Sequence, residues 1–332
     1  IEVAWRLIDA SEQTQLYHQY VPNDLGVLSR IVGVNLGRGP INPNAGRSVP
    51  VYVSVGNSYE PYLTATKSDL SMVIGGFHRG TGFIATSDGF ILTNRHVAAT
   101  WKTRFNFPKE TPAGVVITPD GRLAANQLMP PPTDWVPEQT KQSGKQYTGA
   151  IKGVNDTLKV TLNGEDNSRT ATLEQASDRH DVALIKVNVP GDLTKVEIND
   201  NYDTIQQGEA VTILGYPGGV PPVYGKIKSQ DVFNREGQIV QIPQPTVTTT
   251  NIGNILRSSD KDSEKQTFSM FGDVYMLSTN ETGAGNSGGP VFDPQGKVVG
   301  IFFAGTQSRD GLSLTYAVPI RYGMEFFKNR NK

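Results

Sequence analysis

The sequence predicts an all-β protein with barrel-like sheets, and three observations carry that prediction. Thirty-five glycines and 21 prolines in 332 residues supply many turns, as short strands need. Apolar runs of strand length recur with turn residues between them. Only one stretch, IRYGMEFFKNR at the C-terminus, reads as a helix, with Ile320, Met324 and Phe327 on one face. The length fits roughly two domains, or one all-β domain of about 200 to 250 residues with an appendage.

In order along the chain, residues 1–68 read as a small β module. IEVAWRLIDA and QLYHQYV alternate apolar and polar side chains around SEQT, a hairpin pattern, and VPVYVSVGNSYEPYL adds a strand and a turn. No catalytic grouping lies there. Residues 69–332 form a second domain. TGFIAT and GFILTN flank Ser87-Asp88-Gly89, and LKVTL and RTATLEQ flank Asn163-Gly164. VALIKV, AVTILGYP, PTVTTT, DVYMLST, GPVFD, KVVGIFF and LTYAVP supply further strands. Residues 100–156 and 217–273 break this rhythm with proline-rich and charged stretches, which predict long surface loops at a functional cleft.

Composition narrows the function classes. The formal charge is −1 with basic residues scattered, so no nucleic-acid partner is expected. The absence of cysteine removes thiol catalysis, disulfides and cysteine-ligated zinc. No apolar run approaches the roughly 18 residues of a membrane-crossing helix. The chain starts at Ile1 rather than methionine, so any signal or anchor is expected to lie upstream of it.

Of the four histidines, His18 falls in the hairpin, His78 lies among glycines and His180 stands beside an acidic turn. His96 differs. It follows the strand GFILTN and opens RHVAAT, where a helical turn would present its ring to a cleft. In SDRHDVALIKV, Asp181 abuts a strand too apolar for the surface, and a carboxylate there needs a donor such as an imidazole N–H. Asp178 competes, but does not abut the strand. In TGAGNSGGP, Gly285-Asn286-Ser287 can bend so that the N–H groups of Gly285 and Ser287 point into one hole, while Gly288 and Gly289 admit a substrate backbone. Acyl transfer by serine needs such a base, orienting carboxylate and hole together.

TGFIATSDGFILTNRHVA, HDVALIKV and GAGNSGGPVFDPQGKVVGIFF resemble, in this order, the signature segments of trypsin-like serine proteases of the HtrA/Deg type. The resemblance covers about residues 72 to 328. It implies a chymotrypsin-like double β-barrel with the site in the cleft between barrels, Ser287 as nucleophile, His96 as general base, Asp181 as its orienting carboxylate, and an oxyanion hole at Gly285, Asn286 and Ser287. It also implies protein or peptide substrates, no metal or cofactor, and export from a bacterial cell. Both intervals between these three residues are longer than usual for the type, with the surplus in the two long loops. Too few residues follow AVPI for a PDZ domain, so peptide activation through one is not expected.

SRIVGV at 29–34 looks like a zymogen cleavage site, but Asn286 carries no charge to receive a freed amine, so the stretch reads as a strand of the N-terminal module. Glu281 matches the base of the primary pocket in trypsin-like enzymes, and Phe302 and Phe303 read as an apolar pocket wall. STNETGAGNSGGPVF also resembles the glutamyl endopeptidases of staphylococci, but their pocket histidine corresponds to Phe302, which argues against an acidic substrate residue. Two alternatives stand beside the protease: a scaffold that keeps the barrels without turnover, and a partner-docking role for residues 1–68.

Overall fold

The computed structural model describes the chain apart from residues 44–45, 125–126, 142–149, 166, 200, 219–222, 228–237, 243, 258–271, 280–283, 308–312 and 329–332. Its contacts divide the chain into two compact units. One comprises Ile1–Val3, Phe77–Ala99 and Thr157–Lys332, the other Ala4–Gly76 and Thr100–Asp156.

In the first unit, six antiparallel strands close into a barrel. Lys297–Gln307, Pro290–Phe292, Ala210–Gly215, Thr246–Leu256, Val274–Leu277 and Ser313–Pro319 follow one another, and the last pairs back onto the first. Closure leaves no free edge among these six. Alternation along Ala210–Gly215 turns Val211 and Ile213 inward, onto Ile252, Leu277 and Val291. Five strands of a second, open, seven-stranded sheet follow in the order Ile151–Thr161, Ser168–Ala176, Ala183–Val187, Phe90–Thr93, Phe83–Ile84. Here Leu92 faces Leu184 and Ile91 faces Ile185 in register, so the period of two sends each pair to a different side. Leu92 and Leu184 join Ile301, Val318 and Phe326, whereas Ile91 and Ile185 join Val160 and Val187. That two-sided burial explains why VALIKV is apolar without alternation. This unit is thus a chymotrypsin-like double β-barrel, one barrel closed and the other open, and helix Ile320–Lys328 ends the described chain with Ile320, Tyr322, Gly323 and Phe326 buried.

The second unit departs from the expected boundary near residue 68. Val115–Ile117 pairs in parallel with Ser48–Val55, which also holds Tyr20–Pro22 and Ser58–Pro61. Residues 100–156 are therefore not wholly a surface loop: Trp101, Val115, Ile117, Trp135 and Val136 are buried. Deleting residues 1–68 would strip Val115–Ile117 of its strand partner. SRIVGV is a helix end rather than a strand. Asp24 caps helix Leu25–Val32 by accepting from Val27 N at 2.9 Å, and Gly33 closes it at φ 72°. Leu28 and Val32 then bury against Val21, Val49 and Val51.

His18 is fully buried in this unit, its Nε2 donating to the Val51 carbonyl at 2.9 Å among Tyr20, Tyr52 and Phe107. Burial pushes its pKa down to about 4 although the carbonyl bond pulls it up. Between that value and the ordinary 6.5 the unfolded chain binds a proton that the folded one excludes, so stability falls as pH falls. The loss reaches about 3 kcal/mol by pH 4. All three tryptophans, Trp5, Trp101 and Trp135, lie in this unit, so their fluorescence reports its unfolding. Denaturant midpoints measured at pH 7 and 4.5 should drop more for the native chain than for His18→Gln, which keeps a donor for Val51. Equal drops would remove His18 as the cause.

Candidate active site

His96 is presented by the junction of strand Phe90–Thr93 with the four-residue helix Arg95–Ala98. Its neighbours tie this junction to the Asp181 segment. Asn94, fully buried, does not cap the helix; its Nδ2 donates to the Asp181 carbonyl at 2.9 Å. Arg95 Nη1 donates to the carbonyls of Ser177 and Asp178, at 2.8 and 3.0 Å. Asp181, 4% exposed, then meets His96 twice. Oδ2 accepts from the ring Nδ1 at 2.7 Å and Oδ1 from the His96 backbone N–H at 2.9 Å. Burial alone would raise this carboxyl's pKa, but the His96 ring, its hydrogen bonds and the Arg95 guanidinium outweigh it and hold the group below the ordinary carboxylate value. Asp178, the competing carboxylate, meets the cluster through its backbone carbonyl.

The Ser287 loop packs onto the same junction. A Cβ built on Gly288, which stands at φ 91°, would lie 2.0 Å from the Thr81 carbonyl and 2.3 Å from Thr93 Oγ1. One built on Gly80 would lie 2.7 Å from Val97, next to His96, and 3.1 Å from the Ser287 carbonyl. Only glycine fits at either position. A Cβ built on Gly285, at φ 105°, would lie 2.6 Å from the Tyr216 carbonyl. The backbone N–H groups of Gly285, Asn286 and Ser287 donate to no acceptor among the described residues. The Ser287 hydroxyl donates to the Phe303 carbonyl at 3.0 Å rather than to the His96 ring.

Phe302 and Phe303, read from the sequence as a pocket wall, are 2% and 3% exposed. Phe302 packs in the barrel core with Val291 and Val299, and Phe303 in the cluster of Leu184 and Ile301. Glu281 lies outside the described residues. His180 is buried, its ring stacked on Tyr322 at 3.6 Å between centroids, and burial pushes its pKa down to about 4. His78 Nε2 donates to the Val97 carbonyl at 2.7 Å, and burial lowers its pKa too. Sequence reading missed Thr81, which is 2% exposed and bonded to the Ser287 loop through backbone and side chain.

The model of the trypsin-like peptidase domain matches residues 80–301, more than half of the chain, and the chain belongs to that family. No curated protein sequence matches it. Solved structures similar to it include HtrA-type proteases. HtrA-type protease AlgW with a decapeptide is 18% identical, with TM-score 0.45, over 79% of this chain and 54% of that one. An inactive form of Rv3671c from M. tuberculosis H37Rv is 18% identical, with TM-score 0.42, over 75% and 80%. The MamO protease domain from Magnetospirillum magneticum is 14% identical, with TM-score 0.40, over 74% and 87%. The chain thus spans about half the length of the AlgW chain. No described helix is long and apolar enough to cross a membrane.

Proposed function

We propose that the protein is a serine endopeptidase that cleaves peptide bonds through an acyl-enzyme. The observation that carries this reading is the double hydrogen bond between Asp181 and His96, which leaves Nε2 as the ring's basic nitrogen. Ser287 leaves the Phe303 carbonyl by rotation about χ1, gives its proton to His96 Nε2 and attacks the substrate carbonyl. The oxyanion so formed is received by the amides of Gly285 and Ser287. Imidazolium returns the proton to the leaving amine, the acyl group stays on Ser287, and a water activated by the same ring hydrolyses the ester. Asp181 remains ionised throughout and stabilises the imidazolium.

Fluorophosphonate labelling tests the reading. The native chain should take up the probe at Ser287, located by peptide mass spectrometry, and both Ser287→Ala and His96→Ala should take up none at that position. A folded native chain that is not labelled would overturn the proposal and leave the scaffold reading in its place.

A further inference from the structure

We infer that Thr81 is a positioning residue for the oxyanion hole, its hydroxyl holding the Gly285 carbonyl so that the neighbouring amides face a developing oxyanion. The inference rests on the peptidase reading and adds to it a residue outside the three catalytic groups.

A planar trans peptide fixes each N–H opposite the carbonyl of the preceding residue, so amides are aimed by whatever holds the carbonyls. Four consecutive carbonyls matter here. That of Ala284 accepts from Gly218 N at 2.8 Å, that of Asn286 from Gly289 N at 2.9 Å, and that of Ser287 from Thr81 N at 2.7 Å. These three donors are backbone N–H groups. Among the described residues, the Gly285 carbonyl alone of the four is held by a side chain, the Thr81 hydroxyl at 2.7 Å.

That bond stands where the loop is most free to turn. Glycine has the widest range of backbone angles, and Gly285 sits at φ 105°, so its own backbone restrains the two peptides it joins less than a residue with a side chain would. A swing there changes the separation of the Gly285 and Ser287 amides. The same hydroxyl accepts from Tyr216 N at 3.0 Å, two residues before Gly218, so it also steadies the segment that holds Ala284. Thr93 Oγ1 in turn donates to the Thr81 carbonyl at 2.7 Å. One buried hydroxyl uses its proton and a lone pair to join three chain segments at the loop that would receive the oxyanion.

Thr81→Val keeps the shape and removes the hydroxyl. Because the effect is on the alignment of donors, kcat for a peptide substrate should fall by about 10- to 100-fold, below the loss expected from removing a donor outright. KM should change by less than about threefold, since ground-state binding does not use the hole. Inhibition by a peptidyl boronate, whose tetrahedral adduct puts an oxygen in the hole, should weaken in proportion to kcat. Thr81→Ser restores the hydroxyl and should return both quantities to near native. A Thr81→Val chain with native kcat, or equal losses in Thr81→Val and Thr81→Ser, would overturn the inference, the second result pointing to packing by the methyl. Should Thr81→Val not fold, Thr81→Ala against Thr81→Ser makes the same comparison. Absence of hydrolysis by the native chain would bring down the peptidase reading itself, and this inference with it, before any variant is compared.

Discussion

Ser287→Ala is expected to lower kcat on a cleaved peptide by about a million-fold, the scale on which a serine peptidase loses its nucleophile. The substitution removes an oxygen that, among the described residues, donates to the Phe303 carbonyl, and it leaves the loop's backbone bonds to Thr81, Gly289 and Phe302 in place. Stability should therefore change little while chemistry stops. What remains is peptide binding and an oxyanion hole with no attacking group, worth about 10³-fold over water. His96→Ala should cost a similar factor, and the double variant little more than either, because base and nucleophile act as one unit. Initial rates on a peptide that the native chain cleaves, with circular dichroism as the check on folding, decide the matter. A Ser287→Ala chain within tenfold of native would remove Ser287 from the chemistry.

The site was legible in the sequence where its residues touch strand ends, and illegible where it depends on contacts distant in the chain. GFILTNRHVA marks a buried strand running into a helical turn, and HDVALIKV marks a carboxylate at the mouth of a strand buried on both faces. Both patterns are local, and both segments form the strands Phe90–Thr93 and Ala183–Val187, which pair with each other. Thr81 offers no such signal, since its hydroxyl acts on a carbonyl 204 residues away. The N-terminal helix was missed for another reason. IVGV looks like a strand by composition, but Asp24 before Leu25 and Gly33 after Val32 are start and stop signals whose capping outweighs β-branching over eight residues. The boundary near residue 68 assumed that neighbours in sequence fold together. Parallel pairing of Val115–Ile117 with Ser48–Val55 requires a long connection, and such a partner cannot be read from either segment alone.

Asp181→Asn is expected to cost about 10⁴-fold in kcat, the loss seen when the triad's ring is held in the wrong tautomer. Asp181 here faces two donors, the His96 backbone N–H at Oδ1 and the ring Nδ1 at Oδ2. An asparagine has one oxygen for the two positions. The backbone N–H cannot become an acceptor, so the carboxamide oxygen must stay opposite it, and the NH₂ group then faces Nδ1. A ring nitrogen facing a donor gives up its own proton, which moves to Nε2, the atom that must accept from Ser287. The substitution thus disables the base without emptying the site. Asp181→Ala should be no more active, since nothing then fixes the ring. Nitrogen NMR of the neutral imidazole reads the tautomer: the native His96 ring should carry its proton on Nδ1, and the ring in Asp181→Asn on Nε2. Retention of the Nδ1 proton together with near-native kcat in Asp181→Asn would show that another group orients the ring, and the role given to Asp181 would be wrong.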